Sequence, residues 1–342
     1  VIEIPLPDSG AHADALARLD ALVKPLGALG RLEELAAWLC AAHGTVPPRP
    51  LDDVRVVVFA GDHGVAGASA VSAYPREITA AMVRVFLAGK SGVNVLAGQV
   101  GARVRVVDIA VDDDLDGVPD EVRAYKIRRG SGAIDVEDAL EAGEAERAFE
   151  AGRAIADAEI DAGADLLIPG DMGIGNTTVA SALVAAVLGV PAEDVVGTGT
   201  GVDEAGRARK VAVVEAALAR AAGRTAEPFS LLTALGSACA AATAGFLVQG
   251  AARGVPVLLD GVYSGAAALV AREIAPDAAR WWLAGHRSTE PSQAFALKAL
   301  GLAPILDLGL RLGEGSGAVQ AVSTLRAARA IIAEMGLLAD LA

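Results

Sequence analysis

Five short stretches of this 342-residue chain pair glycines with groups capable of acid–base or anion chemistry. The most distinctive reads PGDMGIGNTT at residues 169–178 and runs into an apolar helical segment. Gly173 and Gly175 let backbone approach a ligand, and Asn176 or Thr177 can cap the helix. The helix N-terminus then offers N–H groups and a partial positive charge to a phosphate. A tight turn with a good N-cap explains Asn176 but not both glycines. A second turn, GTGTGVDEAGRARK at 197–210, carries Gly199 and Gly201 and sets Lys210 two helical turns after Asp203. From there an ammonium can reach an anion held between loops. In LGEGSGA (312–318), Gly313 and Gly315 leave Glu314 without cover of its own. Against apolar neighbours such a carboxyl has a raised pKa and can act as a general base. A helix-opening Glu favoured by the dipole leaves the same local pattern. Asp260 in LDGVYSG and Ser288 in AGHRSTEP are candidates to line a pocket. AGDHGVAG (60–67) sets Asp62 beside His63. That pair reads either as an acid–base couple or as a turn with Asp62 accepting backbone N–H bonds and Gly64 at positive φ.

Other chemistries find less support. The acids of VVDIAVDDDLDG (106–117) precede no Thr/Gly phosphate loop and read as a solvated turn, not a magnesium–diphosphate site. The first strand is not followed by GxGxxG, which weighs against a dehydrogenase. The four histidines form no i,i+4 pair, and Cys40 and Cys239 have no zinc spacing, so neither a metal nor a cofactor is expected. A formal charge of −14 opposes a nucleic-acid surface. The chain opens without Met and without a basic segment leading into an apolar one, so no signal peptide is expected. Residues 229–249 carry no charge and are long enough to mimic a membrane span, but their Ala/Gly/Ser/Thr content suits a buried helix. The expectation is a cytoplasmic protein with no membrane partner.

The elements that must position these loops are legible as alternation. β-branched runs at 54–60, 104–110, 165–170, 194–199, 255–261 and 281–285 alternate with helical patterns at 76–88, 136–162, 176–189, 204–222 and 262–274. With 53% apolar residues and only 4% aromatics, this composition suits tightly packed helices on a sheet. The reading is an α/β fold, a Rossmann-like, mostly parallel sheet with helices on both faces and ligands beyond the carboxyl ends of the strands. Residues 9–43, broken at KPLGALG, and 316–340 look helical with no strand between them. We therefore expect a small helical domain from both ends (1–45 and 311–342) beside an α/β catalytic domain (46–310).

The motifs in combination are more specific than any one alone. KPLGALGRLEELA (24–36), GDHGV (61–65), GDMGIGNTT (170–178), GTGTGVD (197–203), LDG (259–261), AGHRSTEP (284–291) and DLGLRLGEGSGA (307–318) together resemble the nicotinate-nucleotide–dimethylbenzimidazole phosphoribosyltransferase family. The resemblance runs from about Lys24 to the C-terminal helix. It implies a homodimer whose partner's small domain helps close each site. The implied reaction transfers the ribosyl phosphate of nicotinate mononucleotide to a benzimidazole nitrogen, with inversion and release of nicotinate. The product, α-ribazole 5′-phosphate, serves the lower ligand of cobalamin. By resemblance the base is Glu314, and the phosphate lies on Gly173, Ile174, Gly175, Asn176 and Thr177, supported by Gly199, Gly201 and Lys210. Nicotinate falls near Asp260 and Ser288, and the acceptor base near Ser72, Tyr74, Met82 and Leu312. Departures from the family pattern fall at Asp171, where Glu is usual and a supporting carboxylate is implied, at residues 236–239 and at Ala81. Hydrolysis of the same nucleotide, and a nucleotide-binding regulator, are the competing readings.

Overall fold

The computed structural model describes residues 2–341. Six strands, β1 (Val54–Gly61), β2 (Arg103–Ala110), β3 (Leu166–Met172), β4 (Val257–Leu259), β5 (Trp282–His286) and β6 (Pro304–Leu306), join in the order β2-β1-β3-β4-β5-β6. Every neighbouring pair is parallel. In β1, Val54, Val56 and Val58 enter one core while Val57 and Phe59 enter the other. This period-two alternation, apolar on both sides, belongs to a strand covered by helices on both faces. The expected Rossmann-like α/β architecture is thus the observed one.

Several local expectations need correction. Residues 194–199 form no strand; the helix Ala192–Val195 occupies its start. Pro191 at its N-cap and Glu193 and Asp194 in its first turn favour a helix there. The sheet also has no vacant position, because β3 pairs directly with β4. The three-residue β6 escapes sequence reading because it is short and opens on a proline. The helix expected over 136–162 begins only at Glu144, after Gly143 turns left-handed at φ 81°. The uncharged stretch 229–249 is two helices, Pro228–Leu235 and Ala238–Ala252, the second capped by the Ser237 side chain. Ile78–Gln99 is long and apolar enough to cross a membrane by length and composition. It is interrupted before Gly92, where Ser91 and Asn94 form a capping box. The last helix is Ser316–Glu334, and a short 3-10 turn at Leu338–Leu341 follows it.

The helices Ser9–Ala21, Arg31–His43 and Ser316–Glu334 pack together, and Arg18 Nε donates to the Ile332 carbonyl at 2.6 Å. Their residues Leu19, Leu35, Leu325 and Ile332 share one core with Val56 and Ile168 of the sheet. On the other face, the helix Glu144–Asp161 lies backbone to backbone against Ala238–Ala252. A Cβ on Gly152 would stand 1.8 Å from the Ala242 carbonyl oxygen, and one on Gly245 would stand 1.9 Å from that of Phe149. Gly245→Val is therefore expected to destabilise the fold by about 3 kcal/mol or more, since the two backbones must part. Urea denaturation measures this, and an unchanged midpoint would mean that the helices separate freely.

Candidate active site

A pocket enclosing about 620 Å³ of empty space, part of it open to solvent, lies beyond the carboxyl ends of β3 to β6. Its wall includes Asp171, Asn176, Thr177, Gly199, Asp260, Ser288, Leu312 and Glu314, so one cavity gathers residues from five separate loops.

The first loop leaves β3 and enters the helix Asn176–Leu188. Gly175 is the N-cap at φ 93°, and a Cβ on Gly173 would stand 2.1 Å from the Gly61 carbonyl oxygen. One glycine serves the turn and the other a close approach to β1, so both are structurally required. Neither Asn176 nor Thr177 caps the helix, contrary to the sequence reading. The Asn176 amide instead donates to Asp171 Oδ2 at 2.7 Å, and the Thr177 hydroxyl accepts from Lys210 Nζ at 2.8 Å. Each polar side chain is drawn to a buried ionisable partner, which outcompetes local capping. Lys210 is only 1% exposed. Burial lowers its pKa, partly offset by the nearby Glu290 carboxylate.

The second loop is held from three sides. Glu290 Oε1 accepts from Gly199 N–H at 2.8 Å, and Arg311 donates to the Gly199 carbonyl at 2.9 Å. Thr200 Oγ1 accepts from Ala73 N–H at 3.0 Å and meets Ser72 Oγ at 3.2 Å. Ser72 therefore bonds to a wall residue but is not itself in the wall; neither are Tyr74 and Met82. Tyr74 is exposed, and Met82 is half-buried against the core. Gly173, Ile174, Gly175, Gly201 and Lys210 also lie outside the wall. His286, Glu290, Tyr263 and Arg311 line the pocket and were not singled out from the sequence. Glu290 and His286 stand in the quoted AGHRSTEP stretch, and that proximity was the available signal.

Glu314 is buried, and its Oε2 accepts from Val93 N–H at 3.3 Å. It sits at φ 64° between Gly313 at 82° and Gly315 at 91°, three successive left-handed residues. Burial raises the pKa of Glu314; the Val93 N–H counteracts this and the Asp260 carboxylate adds to it. Asp171 is pushed up to about 8 by burial, with the Asn176 amide opposing. His63 is not brought to the pocket. It is buried behind Gly173, and desolvation lowers its pKa to about 4, which keeps it neutral. Asp62 takes the turn role, accepting from Asp112 N–H at 2.8 Å. Gly64 is a helix start, not a positive-φ position. Among the described residues no cluster of His, Cys, Asp and Glu has the arrangement of a metal site.

A fully parallel sheet with a glycine loop and two pKa-raised carboxyls beyond its strand ends has the layout of an α/β enzyme. A family model described as a phosphoribosyltransferase matches residues 4–341. The chain is 58% identical over 334 residues to the nicotinate-nucleotide–dimethylbenzimidazole phosphoribosyltransferase of Mycobacterium avium (strain 104), covering 98% of this chain and 95% of that one. To the protein of the same name from Mycobacterium tuberculosis (strain ATCC 25618 / H37Rv) it is 55% identical, covering 96% and 90%. The crystal structure of the Thermus thermophilus enzyme of that name superposes with a TM-score of 0.92 at 43% identity, covering 98% of both chains. The chain belongs to the nicotinate-nucleotide–dimethylbenzimidazole phosphoribosyltransferase family.

An acid whose pKa rises on folding stabilises the protein least where it would otherwise be ionised. With Asp171 moved from an ordinary 3.8 to about 8, stability falls as pH rises through that window and levels off above it. Asp171→Asn removes the titration while keeping an oxygen for Asn176. Its urea midpoint should exceed that of the parent most above about pH 8, with the gap closing toward pH 4. A gap that does not vary with pH would show that Asp171 ionises normally.

Proposed function

We propose that this phosphoribosyltransferase carries the ribosyl phosphate of nicotinate mononucleotide onto a nitrogen of 5,6-dimethylbenzimidazole. The products are nicotinate and, by inversion at the anomeric carbon, α-ribazole 5′-phosphate for the lower ligand of cobalamin. The observation that carries the reading is a buried glutamate of raised pKa facing a glycine-loop helix N-terminus across one pocket. The leaving group is a pyridinium, so C–N cleavage neutralises the ring nitrogen without help from a Lewis acid or a diphosphate. Three tasks remain: holding the phosphate, bearing an oxocarbenium-like ribose, and removing the N–H proton of the incoming base.

Glu314 takes that proton, and its raised pKa brings it toward the operating pH of a general base. As the proton leaves, the second ring nitrogen becomes the better nucleophile. The phosphate lies at the helix start against Asn176 and Thr177, with Gly173, Ile174 and Gly175 forming the turn behind them and the Gly199–Gly201 loop across from it. Lys210 acts through Thr177, polarising its hydroxyl from behind the wall. Asp171, largely protonated at neutral pH, supports the ribose side as a donor. The nicotinate end lies on the Ser288 side, with Asp260 in the wall behind it, and the acceptor base on the Leu312 side toward Ser72, Tyr74 and Met82. Tyr74 and Leu312 are large exposed residues at this rim, which supports closure by a second copy in a homodimer. In this reading residues 46–310 are the catalytic domain and the two ends a small helical one. The protein is cytoplasmic and engages neither nucleic acid nor membrane.

Incubation with nicotinate mononucleotide and a panel of bases, with products identified by mass, should yield α-ribazole phosphate. Equal nicotinate release with and without dimethylbenzimidazole would mean hydrolysis instead. Glu314→Gln should lower kcat by ~10²–10⁴-fold, and a folded variant at full rate would remove it as the base. Lys210→Met should raise KM for nicotinate mononucleotide about tenfold, the weight of one charge-assisted contact. An unchanged KM would detach the lysine from the phosphate site.

A further inference from the structure

Asp260 follows β4 and is 3% exposed. Both of its oxygens are occupied by backbone: Oδ2 accepts from Gly315 N–H at 3.0 Å, and Oδ1 from Gly317 at 2.9 Å and Ala318 at 3.0 Å. These N–H groups directly follow Glu314 and open the helix Ser316–Glu334. The helix's own cap residue, Gly315, has no side chain to offer them. His286 backs the carboxylate, its Nε2 3.4 Å from Oδ1, and its ring lies so close to Gly317 that a Cβ there would fall 2.0 Å away. On the far side the Glu314 carbonyl presses on β3, where a Cβ on Gly170 would stand 2.3 Å from it. Glu314 is thus wedged between a strand and a side-chain cap, in a left-handed conformation that is unfavourable for a non-glycine residue. A free loop would relax that strain. Nicotinate is itself an anion, so a carboxylate already bonded to three N–H groups has no favourable contact left for it.

We propose that Asp260 is a positioning residue: it clamps the backbone beyond Glu314 and so aims the Glu314 carboxyl into the pocket. The proposal rests on the reading of Glu314 as the base. Asp260 does not touch the reacting atoms; it acts through the peptide groups of Gly315, Gly317 and Ala318.

The test is steady-state kinetics on Asp260→Ala, Asp260→Asn, Glu314→Gln and the double variant Asp260→Ala/Glu314→Gln, with product followed by mass to low turnover. Asp260→Ala should lower kcat about 10²-fold and leave KM for nicotinate mononucleotide within about threefold, as expected when a reacting group is misplaced. Asn, whose amide oxygen still accepts, should restore part of the rate. In the Glu314→Gln background the second change should cost almost nothing, because no base remains to be aimed. Losses that multiply in the double variant, or a raised KM at constant kcat, overturn the positioning role and leave the base assignment standing. A full rate for Glu314→Gln alone overturns the base assignment and this proposal with it. Should Asp260→Ala fail to fold, Asp260→Asn with and without Glu314→Gln supplies the same comparison.

Discussion

A parallel sheet covered on both faces leaves one place where polar groups can gather without breaking a core, the rim of loops beyond the strands' carboxyl ends. The other constraints on this molecule follow from that one. Val56, Val57, Val58 and Phe59 commit β1 to two apolar layers, so the chemistry collects at the ends of the strands. The pocket spans the ends of β3 to β6. The switch point between β1 and β3, the usual ligand crevice of such sheets, is instead filled by the close approach of Gly173 to Gly61. His63 is sealed behind that contact, which explains how an Asp-His pair at a strand end is structural here.

Burial does more at this rim than exclude water. It shifts Asp171 and Glu314 toward their neutral forms and Lys210 toward the amine, all against their charged states. Desolvation is the leading cause for each, so the same dry wall that shapes the pocket also tunes its acids. Two further acids of the wall are held by fixed partners. Glu290 engages Gly199 and lies near Lys210, and the Asp260 carboxylate meets three N–H groups. Little reorganisation is then needed when charge develops on a bound substrate.

The parts legible in the sequence are those governed by local pattern. β1, β2 and β3 stand out because β-branched residues recur in runs bounded by turns, and the glycine loops because few other residues tolerate their geometry. Glu314 was legible for the same reason, a carboxyl between two glycines. The segment 194–199 misled because its valines favour a strand locally, while Pro191 and the acids after it start a helix and β3 pairs directly with β4, leaving no place between them. Lys210 was read as a cation reaching a ligand, yet it lies behind Thr177. Its burial depends on packing between residues 33 positions apart, which no local window contains. The tie between Glu290 and Gly199, across 91 positions, was hidden in the same way.

The packing of the two chain ends bears on how the protein is made. Leu19 and Leu35 are synthesised well before their core partners Leu325 and Ile332, which lie some three hundred positions later. Until the helix Ser316–Glu334 is available, the early helices lack one side of their core, and Glu314 lacks the cap that shapes its turn. Contacts of such long sequence separation form late, because loop closure must precede any gain. The pocket is therefore complete only once that helix has docked, and a chain in which it has not docked has its sheet but lacks the cap that shapes the turn of Glu314.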